Sequence, residues 1–448
     1  MKRILILGAG KSSVYLISYL LGIAKERDYF ITVCDRDEKM AQDAVNHHSQ
    51  GQAIGMDIND SATRISLIGS SDIVINMLTR PYQFQVALDC LNAGISMISA
   101  SYEDPKVKTL HRDAVQKNII ILNEMGLDPG IDHMLAMSLL SDLKAKGAVI
   151  KSFRSYGSGL PEAKIDTNPF DYAITWNPRN VLLAGEDGAI YKEDGKIKIL
   201  PFHRIFDRTW GVSVNGLGYF EAYPNRDSLS YGSLLGINES HTVIRGTLRY
   251  PGWSEAWKQI IQLGMTNELI LIPDLPEMTY RQFTAMFLPA STNDANVEQE
   301  AANYLGISPT GNIMSKLHWL GLFSREKIGG KAVTAAQAMI QLIMKKFTLP
   351  EGMTDMVILL IEVEAEYPAE NNRKEKITRL MIDYGSGASA TAISRTVGLP
   401  VAVAADLILQ NKVQLIGVQI PTHPAIYERV LPALVENGIK YTDENYEV

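Results

Sequence analysis

The chain is predicted to be an α/β protein: an N-terminal doubly wound parallel sheet, then an α+β domain that carries a helical insertion. Three observations predict this. Residues 1 to about 125 alternate short aliphatic runs with helix-length stretches, the first run ends in the glycine turn "GAGKSS", and near residue 150 longer alternating runs take over, among Asn, Pro, Gly and aromatics. At 448 residues, 46% of them hydrophobic and 21% charged, the chain is long enough for two or three full cores.

The predicted strands are "KRILILG", "FITVCD", "QAIGMD", "DIVINML", "ISMISA" and "IIILNE", each bounded by turn residues. Helices fall between them, as in "SSVYLISYLLGIAKE" and in "PYQFQVALDCLNAG", which Gly94 closes. Aliphatic strands of this kind need cover on both faces, which a parallel sheet wrapped by helices supplies. Beyond residue 150, "VIKSFRSYGSGLP", "HTVIRGTLRY", "DMVILLIEVEAEY" and "KITRLMIDYG" read as strands of a mixed or antiparallel sheet. Helical periodicity returns in "SEAWKQIIQLGM", "TYRQFTAMF", "NVEQEAANYLGI" and "AVTAAQAMIQLIMKKF". The expected division is a Rossmann domain over 1–130, an α+β domain over 131–252 and 347–395, and a helical insertion over 253–346. The tail, about 396–448, is expected to pack back on the first domain.

In the glycine turn, Gly8 and Gly10 occupy the first two positions of a dinucleotide fingerprint, where the turn is tight and the backbone nears a pyrophosphate; Ser13 stands at the third. Ser12 and Ser13 are cofactor candidates with them. Asp35 ends the second strand where an acid usually holds the ribose hydroxyls of NAD, and Arg36 beside it could receive the 2′-phosphate of NADP. The cofactor is therefore written NAD(P), with the choice open.

The stretch "NEMGLDPGIDHMLA" puts two glycines, a proline and two aspartates between a strand and a helix. One reading is structural: Asp128 caps the helix and Pro129 takes its first position. The other is functional, since a strand end that feeds a helix N-terminus meets anionic ligands. In "HTVIRGTLRY", alternation places Arg245, Thr247 and Arg249 on one face, either as a solvated face or as a carboxylate-binding one. Arg226 in "YPNRDS" sits among turn residues.

A net charge of −7 and the absence of a Lys/Arg-rich block argue against nucleic acid as a partner. Two cysteines, Cys34 and Cys90, fit a reducing compartment. Lys2 and Arg3 before an apolar run mimic a secretory signal, but Lys11 and Ser12-Ser13 interrupt it. No segment offers the roughly 20 uncharged apolar residues of a membrane span, so a cytoplasmic protein with no membrane partner is expected.

Taken together, "NEMGLDPGIDH", "GLP" with "NPFDYAITWNPRNVLLA", "YPNRDS", "VIRGTLRY" and "TVGLPVAVAADLIL" resemble the saccharopine dehydrogenase family, above all its glutamate-forming reductases, over essentially the whole chain. The resemblance implies a Rossmann domain, a mixed-sheet substrate and dimerisation domain, a small helical domain and a homodimer. It implies reduction of an imine between L-glutamate and aminoadipate semialdehyde to saccharopine, a tricarboxylic amino acid, or the reverse. It places Asp128 beside nicotinamide and substrate amine, Leu127 and Pro129 on the cofactor, Leu78 and Thr79 of "NMLTR" on the cofactor, and Asp57 and Ile58 near adenine. Ser101, Tyr102, Arg226, Thr247 and Arg249 would contact substrate, with Asp128 and Tyr102 as candidates for proton transfer. The chain departs from fungal members in reading "GSGLP" where they have CGGLP, and in carrying Asp35 where they, NADP users, lack an acid.

Two other functions compete. Relatives that make carboxylated polyamines take cationic substrates, which would favour acids over these arginines. A dinucleotide sensor without turnover would not need Ser101, Tyr102, Asp128, Arg226 and Arg249 together.

Overall fold

A computed structural model describes residues 1–387 and 390–447. Their contacts divide the chain into two compact units: Met1–Ile150 with the chain from Met356 onward, and Lys151–Asp355.

In the first unit all six expected strands form: β1 (Lys2–Leu7), β2 (Tyr29–Asp35), β3 (Gly51–Gly55), β4 (Ile73–Asn76), β5 (Ser96–Ser99) and β6 (Ile120–Leu122). They lie parallel in the order β6-β5-β4-β1-β2-β3, and Gly417–Gln419 from the C-terminal part adds a seventh strand beside β6. β1 pairs with β2 on one side and β4 on the other, so the winding reverses there, and the carboxyl ends of all six strands share one edge. β4 is wholly buried, as continuous aliphatic strands covered on both faces must be, whereas the edge strand β3 has no buried residue.

The helix Val14–Arg27, which follows the glycine turn, packs on a long helix, Ala392–Leu409. Gly398 makes this close: a Cβ there would come within 2.9 Å of the Leu16 nitrogen and 3.2 Å of the Ser12 carbonyl oxygen. Close approach to this helix is thus made by a glycine on the opposite helix, and Ser13 is buried at the third fingerprint position. Ser394 of the same long helix accepts the Tyr15 N–H at 3.2 Å, which satisfies one amide of the first turn. Ala392–Leu409 is also long and apolar enough to cross a membrane, with mean hydropathy 1.6, but 78% of it is buried inside the protein, where a core helix has the same composition.

The strands Arg373–Tyr384 and Tyr441–Glu447 pair antiparallel in the first unit. Arg379 locks them with a bidentate pair to Asp443, both bonds 2.7 Å, and gives a third bond to the Leu135 carbonyl at 3.0 Å.

The second unit holds β7 (Val149–Pro161, from Lys151 on), β8 (Ala189–Glu193), β9 (Lys196–Leu200), β10 (Trp210–Val214), β11 (Gly218–Pro224), β12 (Arg226–Asp227) and β13 (Thr242–Arg249). Its sheet is mixed: β13 runs parallel to β7 and antiparallel to β11. Helices Trp253–Gln262, Tyr280–Ala285, Val297–Leu305 and Ala335–Lys346 form where helical periodicity was read. Asn312–Leu320 is a further helix that the pattern did not single out; it buries only Met314, Leu317 and Leu320 and has no side-chain cap, so its signal is faint. Trp253 stacks on Trp257 at 4.6 Å, and the Trp257 indole N–H reaches the Leu182 carbonyl at 3.2 Å.

Candidate functional site

The glycine turn is built for a close ligand. Gly8 sits at φ +102° with Leu78 and Met77 atoms 3.3–3.4 Å from where a Cβ would stand, and Gly10 has open space in that direction. Asp35 is held from both sides: one oxygen accepts the Ala9 N–H at 2.8 Å and the other the Asp37 N–H at 3.0 Å. The turn and the acid expected to read the ribose are therefore one hydrogen-bonded assembly. Arg36 and Lys11 are exposed beside it. At the end of β3, Asp57 accepts from the Asn59 backbone and side chain, both at 2.9 Å, and Ile58 is buried. Glu38, missed in the sequence, leans over Gly55, whose added Cβ would lie 3.0 Å from a Glu38 carboxylate oxygen.

At the ends of β4 and β5 a buried amide pair sets the next positions. Asn76 accepts the Leu78 N–H at 3.2 Å and donates to Gln83 at 3.1 Å; Gln83 donates to the Leu78 carbonyl at 2.7 Å and to the Ser101 hydroxyl at 3.1 Å. Leu78 and Ser101 are thus tied together by two residues that sequence reasoning passed over, because buried amides carry no motif. Thr79 is exposed, at the start of a short turn over Arg80–Tyr82.

The "GLDPG" segment corrects one expectation. Asp128 is not a helix cap and Pro129 is not the first helical residue: the helix is Ile131–Ala145, capped by Gly130, whose N–H goes to the Asp132 carboxylate at 2.6 Å. The intervening loop folds on itself, with Gly126 N–H to Pro129 at 3.0 Å and Ile131 N–H to Gly126 at 2.9 Å, and the Asp128–Pro129 peptide is cis. Gly130, at φ +145°, has no room for a Cβ against the Gly126 backbone. Over residues 119–136 every residue is buried except Asp128. The loop therefore presents one carboxylate, and the Tyr102 hydroxyl donates to it at 3.3 Å, which brings the two proton-transfer candidates together. Leu127 and Pro129 flank it, buried.

Behind the loop lies a cluster of ionisable side chains outside the candidate set read from the sequence. Glu124, Asp132 and His133 are all buried, with the imidazole 3.1 Å from Asp132 and 3.5 Å from Glu124. Burial pushes the Glu124 carboxyl above its ordinary range, and the neighbouring His133 opposes that shift.

In the second unit the arginine face of β13 is not solvated. Arg245 lies buried with its guanidinium 4.1 Å from the Tyr231 ring. Arg249 is 3% exposed and boxed by Trp253, Tyr172 and Tyr223, at 4.8, 5.0 and 5.7 Å from the ring centroids. It donates to Ser158 at 3.0 Å and to the Leu248 carbonyl at 2.9 Å, its Nε has no hydrogen-bond partner, and among the described residues no carboxylate pairs with it. Thr247 is hydrogen-bonded to Tyr223. Arg226, at φ +55°, is half-exposed and paired with Asp187 at 3.2 Å.

A reversed parallel sheet, a glycine turn at its switch point and an acid after β2 are the marks of the class of dinucleotide-binding proteins. Residues 4–122 match the saccharopine dehydrogenase NADP binding domain, and residues 126–439 match the saccharopine dehydrogenase C-terminal domain. The chain belongs to the saccharopine dehydrogenase family. The saccharopine dehydrogenase (NADP(+), L-glutamate-forming) of Saccharomyces cerevisiae is 30% identical over 99% of both chains, and that of Schizosaccharomyces pombe is 29% identical over 99% of both. The mitochondrial alpha-aminoadipic semialdehyde synthase of Bos taurus is 30% identical, but this chain spans only 48% of its length. The solved apo saccharopine dehydrogenase (L-Glu forming) from Saccharomyces cerevisiae superposes with TM-score 0.88 at 27% identity, covering 100% of both chains.

Proposed function

We propose that this chain is an NAD(P)-dependent saccharopine dehydrogenase of the L-glutamate-forming type, which interconverts saccharopine with L-glutamate and 2-aminoadipate 6-semialdehyde in lysine metabolism. The observation that carries this reading is Arg249: a buried guanidinium with no acid partner among the described residues and an unbonded Nε is suited to a substrate carboxylate. Arg226 would exchange Asp187 for a second carboxylate, and Thr247, Ser101 and Tyr102 would add hydroxyl contacts.

A bound dinucleotide would supply the hydride acceptor for the carbon next to the substrate nitrogen. That carbon gives up hydride only when the secondary amine is neutral, because its lone pair becomes the C=N bond. The Asp128–Tyr102 pair then has two tasks: to take the amine proton, and to guide water onto the resulting iminium. Gly8, Gly10, Ser12 and Ser13 would hold the pyrophosphate, Asp57 and Ile58 the adenine side, and Leu78, Thr79, Leu127, Asp128 and Pro129 the nicotinamide side. The fixed Asp35 carboxylate, with Asp37 and Glu38 next to it, supports NAD over NADP, and Arg36 is the opposing cation.

In this reading residues 1–130 serve the cofactor, 131–252 with 347–395 serve the substrate and a homodimer contact, and 253–346 form a helical insertion. A reducing, cytoplasmic setting suits Cys34 and Cys90, both buried free thiols. The test is an assay of purified protein with saccharopine and each oxidised cofactor, followed at the nicotinamide absorbance. Turnover with release of glutamate is expected, faster with NAD; no turnover with either cofactor rejects the proposal.

A further inference from the structure

We propose that Glu124, Asp132 and His133 act as a buried positioning group that holds Tyr102 and Asp128 in register with each other. The inference rests on the proton-transfer pair proposed above. Tyr102 and Asp128 belong to different strand ends, the loop after β5 and the loop after β6, and the bond from the Tyr102 hydroxyl to Asp128 is long, 3.3 Å. A bond of that length fixes their separation loosely, and the two loops are held by further groups behind them.

Glu124 does this on the Tyr102 side. Its backbone N–H goes to the Ser101 carbonyl at 3.0 Å and its carboxylate accepts the Glu103 N–H at 2.9 Å, so it grips both neighbours of Tyr102. Asp132 does it on the Asp128 side. Its backbone N–H closes onto the Leu127 carbonyl at 3.1 Å and its carboxylate holds the Gly130 N–H at 2.6 Å, so it grips the loop before and after Asp128. His133 lies between the two carboxylates, with Nδ1 3.1 Å from Asp132 and Nε2 3.5 Å from Glu124. Two buried carboxylates repel each other, and an imidazolium between them would offset that repulsion, in line with the lowering that His133 exerts on the Glu124 carboxyl. Because proton transfer demands placement within a fraction of an ångström, a joint of this kind acts on the chemical step more than on binding.

The test combines His133→Gln and Glu124→Gln, the latter keeping an acceptor for the Glu103 N–H. In each variant, kcat with saccharopine should fall on the order of 10²-fold, while KM and cofactor affinity stay within about twofold. In an Asp128→Asn background the same replacements should lower kcat by no more than about threefold, because the residue being placed has already lost its charge. Amide exchange at Glu103, Gly126 and Ile131, read in the free protein, should speed up in both variants while the strands of the sheet keep their protection. Losses that multiply fully in the double variants, or loop amides that exchange as in the parent, would overturn the inference. If the parent turns over no saccharopine, the proposed function fails, and the exchange measurement still decides whether this group holds the two loops. If His133→Gln does not fold, Glu124→Gln carries both readouts.

Discussion

Asp35 shows how much one carboxylate is asked to do. It anchors the glycine turn through Ala9 and is proposed to hold the ribose, so Asp35→Ala should lower kcat/KM with both cofactors but lower it less with NADP, shifting the ratio toward NADP. Arg36→Ala should shift it the other way; an unmoved ratio in both variants would remove these residues from cofactor choice. Asp128→Asn keeps the acceptor for Tyr102 and leaves the helix cap untouched, since Gly130 and Asp132 supply that. A fall in kcat of about 10²–10⁴ without a change in unfolding midpoint is expected, and an unchanged kcat across pH would return Asp128 to a purely structural part. Arg249→Met keeps the stem within its aromatic box but deletes the fork. KM for saccharopine should rise by one to two orders of magnitude, from the ~1.5–3 kcal/mol of a charge-assisted bond, with cofactor affinity unmoved. A KM within twofold of the parent would mean that Arg249 holds only its own strand.

At the scale of elements, one glycine decides where the glycine turn stands. Gly398 lets the helix after the glycine turn seat against Ala392–Leu409, and an alanine there would press on the backbone at Leu16. Gly398→Ala should destabilise the protein by about 1–3 kcal/mol, as overpacking does, and weaken cofactor binding, because the displaced helix carries the turn with it. Calorimetry and cofactor titration check the two effects separately; a variant of parental stability would mean that the helix contact has slack. Gly398 lies hundreds of residues from the fingerprint, in a stretch that reads only as an apolar helix, so nothing local in the sequence marks it as the complement of Ser13.

For the molecule as a whole, stability should carry the imprint of Glu124. Its carboxyl is raised above the ordinary value of 4.5, chiefly by burial, so between 4.5 and the folded value the native state binds more protons than the unfolded chain. Stability contributed by the protonated form is complete below 4.5 and is lost as pH rises through the folded value. Glu124→Gln should flatten that decline, which denaturant midpoints of parent and variant from pH 4 to 8 would reveal; parallel curves would refute it.

The sequence by itself determined the parallel domain, its six strands, the glycine turn and the motifs of the family, because these depend on short-range patterns: strand periodicity, turn residues and local spacing. It also brought Asp128 and Tyr102 forward, though with the wrong local geometry for the former. Only the tertiary structure decided that Asp128 stands out from a loop that is otherwise buried, that β13 turns its arginines into an aromatic interior instead of solvent, and that Asn76 and Gln83 bind Leu78 to Ser101. Alternation along a strand says which residues share a face and nothing about what covers that face. Glu124, Asp132 and His133 were invisible as a group for the same reason: their meaning lies in burial and in distances of about 3 Å across a folded loop, and no linear pattern encodes either.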